Sequence, residues 1–330
     1  MSVRTFSRLK IISILAVIAI FFAALAFVIM PEAGTETEAD MVEFADENLR
    51  KAVLGELGRE EGPITRKEAE EIETLEAVEK EISDLSGLEN LSGLRELNLY
   101  DNDIDDIEPL AALENLEKIV FEHNYVSDLN PLSGLKDLRI FNFRYNRIED
   151  LSPLSELENL EKIRLWGNEV REVNALYGLE NLEVLTLADN RLEDISGLAG
   201  TPELKELHLD RNYLTDISAL AELKELKILS FLENEIDDIS ALSGMNQLRE
   251  LNFAGNNVSD ISVIGELRSL ESIYFRDNSV QDITPVVEND SIIGVVSFRL
   301  NDIDLEDEQV AENMEILRER VETLRYDPQN

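Results

Sequence analysis

Leu97-Asn98-Leu99-Tyr100-Asp101-Asn102-Asp103-Ile104 decides the fold of this chain, because the same frame keeps returning. The string apolar-x-apolar-x-x-Asn-x-apolar closes on Asn102, Asn124, Asn146, Asn168, Asn190, Asn212, Asn234, Asn256 and Asn278, each 22 residues after the last, and then on Asn301 after one inserted residue. A fixed period of this length marks a solenoid, in which one supersecondary unit is repeated and stacked. Such an array offers a long exposed face and seldom a catalytic pocket.

Within each unit, apolar residues stand five and three places before the Asn and two, five, eight, eleven and fourteen places after it. In the first full unit these are Leu97, Leu99, Ile104, Ile107, Leu110, Leu113 and Leu116. The alternating pair predicts a short strand with both apolar side chains pointing inward. The later three-residue spacing predicts a tight 3₁₀-like or helical return on the outer side. Parallel stacking pairs each strand with the next at about 4.8 Å. One inner column, Phe121, Phe143, Phe231, Phe253, Phe275 and Phe298, reads as a packed spine. The Asn column reads as a ladder, because a buried amide offers both a donor and an acceptor where the bending backbone has lost its strand partners.

These residues resemble leucine-rich repeats of the 22-residue kind, closest to the internalin-like bacterial surface proteins; Ile104-x-x-Ile107-x-Pro109-Leu110-x-x-Leu113-x-x-Leu116 follows their pattern. The resemblance covers roughly residues 41–330. It implies an α/β solenoid: a right-handed superhelix with a parallel concave sheet, a convex side of 3₁₀ turns and short helices, a helical amino-terminal cap and a closing carboxy-terminal unit. Asp46-Glu47-Asn48-Leu49-Arg50-Lys51-Ala52-Val53, then Ile64-Thr65 and a second short helix, look like that amino-terminal cap. Lys80 stands where the first Asn is expected, so the unit around it is degenerate, as terminal units usually are. Val310, Met314, Leu317 and Val321 make one apolar helical face, which predicts a helix over about 306–320 and then a short closing strand ending near Tyr326. Thr201-Pro202 replaces the expected leucine turn and predicts a kink or loosening of the array. The chain divides into 1–10, a cytoplasmic amino terminus; 11–30, an anchor or signal; 31–40, a linker; 41–72, the cap; 73–303, the repeats; and 304–330, the closing cap.

Composition narrows the function. There are 70 acidic and 30 basic residues, a formal net charge of −40. Nucleic acids are polyanions bound by displacing counterions with Lys and Arg, so this chain would repel them. Cysteine is absent, which removes disulfides, thiol chemistry and lipid-modified cysteine.

Ile11 to Met30 is apolar except for Ser13. A helix of that length spans roughly 30 Å, the thickness of a bilayer core. Arg4, Arg8 and Lys10 precede it, and acids follow it with no base until Arg50. This asymmetry leaves the amino terminus in the cytoplasm and sends the rest outside, as a single-pass anchor. The rival reading is a cleaved signal, with Ala24-Leu25-Ala26 as a small-x-small site, which makes the protein secreted. Phe27 to Met30 continue the apolar run past that site and favour the anchor.

Outward strand positions line the concave face. The middle column runs Asn98, Val120, Asn142, Arg164, Thr186, His208, Ser230, Asn252, Tyr274 and Ser297, the next from Tyr100 through Trp166 to Arg299, and the third from Asp101 through Tyr145 to Glu233. The only Trp and both His fall in these columns, with five arginines, in a chain where acids outnumber bases more than twofold. Trp, Tyr and Arg dominate binding hot spots. The expected partner-binding residues are therefore Tyr100, His123, Arg144, Tyr145, Arg164, Trp166, His208, Arg211, Tyr274 and Arg276. The plainer alternative is that edge-exposed aromatics merely shield the sheet and pair across strands.

A column of acids (Asp84, Asp106, Asp128, Asp150, Glu172, Asp194, Asp216, Asp238, Asp260 and Asp282) stacks at coil spacing. It reads either as backbone N–H acceptors at the start of each outer turn or as carboxylates bridged by cations; no calcium-loop spacing appears, which favours the first. No catalytic motif occurs, and the two histidines lie four coils apart, roughly 19 Å at strand spacing, too far to share a metal. The chain is not read as an enzyme, and no cofactor or metal is expected. The expectation is a membrane-anchored extracytoplasmic module that recognises a protein, with a glycan as second candidate, on its concave face. An intracellular scaffold or regulatory subunit and a structural envelope role are the alternatives; a cytoplasmic scaffold would not need Ile11 to Met30.

Overall fold

The structure, a computed structural model, describes residues 40–326. The repeats lie in one compact unit that begins at Val42. The expected anchor at Ile11 to Met30 lies outside the described residues. Among the described residues no helix is long and apolar enough to cross a membrane.

A twelve-stranded parallel sheet carries the array, with its strands in sequence order. They are β1 Thr74–Glu76, β2 Glu96–Asn98, β3 Lys118–Val120, β4 Ile140–Asn142, β5 Lys162–Arg164, β6 Val184–Thr186, β7 Glu206–His208, β8 Ile228–Ser230, β9 Glu250–Asn252, β10 Ser272–Tyr274, β11 Val295–Ser297 and β12 Thr323–Arg325. Each strand pairs with the equivalent residues of the next, Leu97 beside Ile119 and Ile119 beside Phe141. The inserted residue before Asn301 is absorbed outside the strands, since Ile273 still faces Val296.

The outer side is made of short 3₁₀ segments such as Glu108–Ala112 and Ser152–Leu154, with one turn of α-helix, α3, at Thr284–Glu288. The period-three leucines explain them. A 3₁₀ helix has three residues per turn, so every third side chain faces the same way. Leu110 N donates to Ile107 O at 3.0 Å, Leu113 N to Leu110 O at 2.9 Å and Leu116 N to Leu113 O at 3.1 Å. The residues that bury their side chains thus also satisfy one another's buried backbone. All are essentially inaccessible and belong to a single apolar cluster running the length of the array. Each fully buried leucine contributes about 1.5–3 kcal/mol, gained only when its coil lies against the next.

Both expected ladders are present. Asn124 Nδ2 donates to Leu99 O of the preceding coil at 2.9 Å and to Phe121 O of its own at 3.1 Å, while its Oδ1 accepts from Ile104 N at 3.0 Å. The phenylalanines stack along the axis: Phe121 to Phe143 at 5.2 Å, Phe253 to Phe275 at 5.7 Å and Phe275 to Phe298 at 5.6 Å, with Tyr326 continuing the column at 6.1 Å.

The caps form as expected. Helix α1, Glu47–Glu56, begins at Asp46, whose carboxylate accepts from the N–H groups of Asn48 and Leu49; α2, Arg66–Glu70, begins in a reciprocal pair between Thr65 and Glu68. Lys80 N and Ile82 N both donate to Asn102 Oδ1, so the degenerate first coil is still tied to the first true rung. At the far end α4, Glu308–Arg320, packs Met314 and Leu317 inward and leads into β12. One expectation fails. At Thr201-Pro202 the array does not break, because Val184 still pairs with Glu206. Thr201 is fully buried and its hydroxyl donates to Leu198 O at 2.8 Å, while its backbone keeps the chain of i-to-i+3 bonds.

Candidate functional site on the concave face

Residues immediately before each ladder Asn adopt left-handed backbone: Asp101, His123, Tyr145, Asp189, Arg211, Glu233, Asp277 and Leu300 have φ of 51–57°, and Gly167 and Gly255 fall in the same column. Side chains here rarely take this conformation, which costs about 1–2 kcal/mol. It persists because the bonds on either side repeat along the stack: His123 N donates to Arg144 O at 2.9 Å, and Asn102 N to His123 O at 3.3 Å. Side chains of this column meet across neighbouring coils, His123 against Tyr145 and Arg211 against Glu233.

Four aromatic residues consequently meet. Tyr100 meets His123 edge-on at 5.7 Å, His123 stacks on Tyr145 at 4.4 Å and 15°, and Tyr145 lies 6.2 Å from Trp166. Gly167 makes room for this, since a Cβ there would stand 2.7 Å from the Tyr145 ring. The rings remain open to solvent, Tyr145 at 41% and Trp166 at 36%. The indole N–H of Trp166 donates to Asp189, one coil on.

From Asp189 the chain of contacts continues as ion pairs. Arg211 lies 3.5 Å from Asp189 and 3.0 Å from Glu233, and Arg276 approaches Glu233 at 3.8 Å. The hydrogen bond that Arg211 donates to the Glu233 carboxylate, with Asp189 close by, raises the Arg211 pKa above its ordinary value. Six of the ten expected residues are therefore joined in one strip, aromatic over its first half and ionic over its second. Arg144 flanks the strip with two bonds to Glu122, at 3.1 and 2.8 Å, and Arg164 stands beside it, with no ion pair among the described residues. His208 and Tyr274 lie off it. His208 faces Glu206 at 3.1 Å, and burial, with Glu250 nearby, raises the Tyr274 pKa. The connecting acids Glu122, Asp189 and Glu233 were not among the expected residues. Their signal in sequence was faint, because acids crowd every column.

His208, Asp210 and Ser230 lie together, but not as a hydrolytic triad. Ser230 Oγ donates to Asp210, and His208 is held between Glu206 and Asp210, whose Oδ2 is 3.9 Å away. No imidazole nitrogen faces the hydroxyl to take its proton, which nucleophile activation requires. Among the described residues no group of three or more His, Cys, Asp or Glu is placed to hold a metal ion. The outer acidic column serves as backbone caps: Asp106 accepts from Glu108 N at 2.9 Å, Asp238 from Ser240 N at 2.7 Å and Asp260 from Ser262 N at 2.8 Å. Those N–H groups hold the Asp238 and Asp260 carboxyls below the usual carboxylate range. Glu172, one carbon longer, bonds the Asn174 side chain instead.

Known proteins share this architecture. The family described as Leucine rich repeat matches residues 158–214 and 202–258, and the Endo-beta-N-acetylglucosaminidase EndoS LRR domain matches residues 44–168. No curated protein matches the chain in sequence. An internalin, inlF, of Listeria monocytogenes is similar over 88% of this chain and 95% of its own, at 24% identity and a TM-score of 0.74. Internalin C2 of the same organism is similar over 70% of this chain and 94% of its own, at 28% identity and a TM-score of 0.56. The plant peptide hormone receptor RGFR1, solved in complex with RGF2, shares the fold over 73% of this chain but 41% of its own, at 17% identity and a TM-score of 0.63. Leucine-rich repeat proteins are typically binding modules rather than enzymes. With its repeat, its caps and these likenesses, the chain is a leucine-rich repeat protein whose fold is like that of the internalins.

Proposed function

We propose that this protein is a membrane-anchored recognition module whose repeats stand outside the cytoplasmic membrane and take a protein partner on the concave strip. The observation that carries this reading is the run Tyr100–His123–Tyr145–Trp166, in which rings from half-buried Tyr100 to exposed Trp166 are held in place by contact with one another. Rings already ordered lose little conformational entropy on binding and bring large contact areas. The peptide-bound plant receptor supports a protein ligand for the fold. The apolar run Ile11 to Met30 behind Arg4, Arg8 and Lys10 supports a single tether with the repeats outside.

The test is retention of envelope and intact-cell extracts on immobilised full-length chain, beside Trp166→Ala with Arg164→Ala. A protein held by the native chain and lost on the variant, at unchanged Tm, is the expected result. Retention on both would move the site elsewhere, and retention on neither would overturn the reading. Recovery of the chain in carbonate-washed membranes tests the tether; recovery only in the soluble fraction would overturn that part.

A further inference from the structure

We infer that β5 and the residues just after it form an anion-recognising track, whose occupant is an extended acidic segment of the protein partner with the spacing acid-x-acid-x-apolar. This rests on the recognition reading above and names the chemistry of its ligand.

Lys162 and Arg164 stand on the concave face of β5 with the fully buried Ile163 between them. In register, Lys162 has Ile140 and Val184 as neighbours, and Arg164 has Asn142 and Thr186. None of the four is acidic. Glu183 senses the Lys162 charge but gives its carboxylate to Lys205. Other bases on this face are engaged, Lys118 with Glu96 at 2.9 Å and Arg144 with Glu122 at 2.8 Å. Among the described residues the Lys162 and Arg164 side chains make no hydrogen bond or ion pair within the chain. Thr186 Oγ1, one strand from Arg164, is buried with no hydrogen-bond partner. In a protein of net charge −40, two adjacent cations and an idle hydroxyl, with no acid in register beside them, are a departure that composition does not produce. Their charge is left for a ligand.

The spacing selects the ligand. Alternate residues of a strand lie about 6.6 Å apart, so Lys162 and Arg164 match carboxylates at alternate positions of a second extended chain. A guanidinium takes a carboxylate through two parallel bonds. Two residues further on, Trp166 offers an apolar anchor at the same interval. The alternative of a stacked sugar fits poorly, because His123 and Tyr145 turn their faces to each other. Ring edges carry partial positive charge and favour carboxylate oxygens.

Trp166 is the only tryptophan, so its fluorescence reports occupancy directly. The full-length chain in non-ionic detergent is titrated with acetyl-Glu-Thr-Glu-Thr-Leu-amide and with the Gln-Thr-Gln-Thr-Leu counterpart. A saturable change with the glutamate peptide alone is expected. It should weaken about tenfold in Lys162→Ala with Arg164→Ala, and again as salt rises. The variant's Tm should match the native value, since neither side chain has an internal partner to lose. Equal response to both peptides, or an unaffected variant, overturns the inference. Binding of polygalacturonate in place of the glutamate peptide overturns it in favour of an anionic glycan. Failure of the peptides while Trp166-dependent capture of a protein persists sinks this inference and leaves the recognition reading standing.

Discussion

Asn190→Ala removes one rung from the middle of the asparagine ladder. Asn190 Nδ2 donates to Leu165 O at 2.9 Å, Leu187 O at 3.0 Å and Ala188 O at 3.1 Å, and its Oδ1 accepts from Val170 N at 3.0 Å. The carbonyls are not all orphaned by the change. Leu165 O keeps Asn168, Leu187 O keeps Asn212 and Ala188 O keeps Gly167 N. Val170 N has no second acceptor and is left unpaired inside the protein, at a cost of about 1–3 kcal/mol. With the weakened carbonyl bonds the total comes to about 2–4 kcal/mol. Asn181, nine residues earlier, is the control: its side chain makes one exposed bond to Glu158 O at 2.9 Å, and Asn181→Ala should cost under about 0.5 kcal/mol. Urea unfolding followed by circular dichroism should place the Asn190→Ala midpoint lower by roughly 1 M, at a slope near 2–3 kcal/mol/M. An Asn190→Ala midpoint no lower than that of Asn181→Ala would refute the ladder as a source of stability.

Two further perturbations probe the caps. Asp46 accepts from Asn48 N and Leu49 N and reaches across to Ser83 N at 3.0 Å. Burial raises its pKa, but these N–H groups outweigh burial, and the folded value lies below the ordinary carboxylate. The stabilisation is therefore present above the unfolded pKa and is lost as pH falls through the folded one. Asp46→Ala should cost about 1–2 kcal/mol at neutral pH, with the gap to native closing in acid; a gap independent of pH would contradict this. Arg320 donates to Val286 O at 2.8 Å and Val287 O at 2.7 Å, fastening α4 to α3. Arg320→Ala should cost about 1.5–3 kcal/mol and speed amide exchange in α4 and β12 alone. Exchange unchanged there would show that the closing unit is held by its apolar face without this tie.

The array was legible because its causes repeat. A leucine at every third outer position buries its side chain and donates to the leucine before it, so one pattern dictates both 3₁₀ geometry and core. The α4 helix and the Asp caps were legible for similar local reasons. The left-handed column was not, because Tyr145, Arg211 and Leu300 have no local preference for positive φ; stacked backbone bonds impose it, and the glycines, aspartates and histidine of the column give only a scattered hint. Thr201 misled for a related reason, since its hydroxyl bond to Leu198 O lets a polar residue occupy a leucine's place. On the concave face, composition pointed to the aromatic patch. It did not show that Asp189 and Glu233 would join the aromatic and ionic halves, because long side chains choose among many nearby acids only once the coils are stacked.

The central claim is that recognition occurs on the concave strip. Site-specific photocrosslinking addresses it directly, with a benzophenone side chain placed at Tyr145 in one full-length variant and at Tyr177 in another. Both residues are exposed, Tyr145 within the strip and Tyr177, at 67%, on an outer turn. Irradiation of whole cells should give a discrete protein adduct from position 145 and none of that mass from position 177. The same adduct from both positions, or from 177 alone, would contradict the claim.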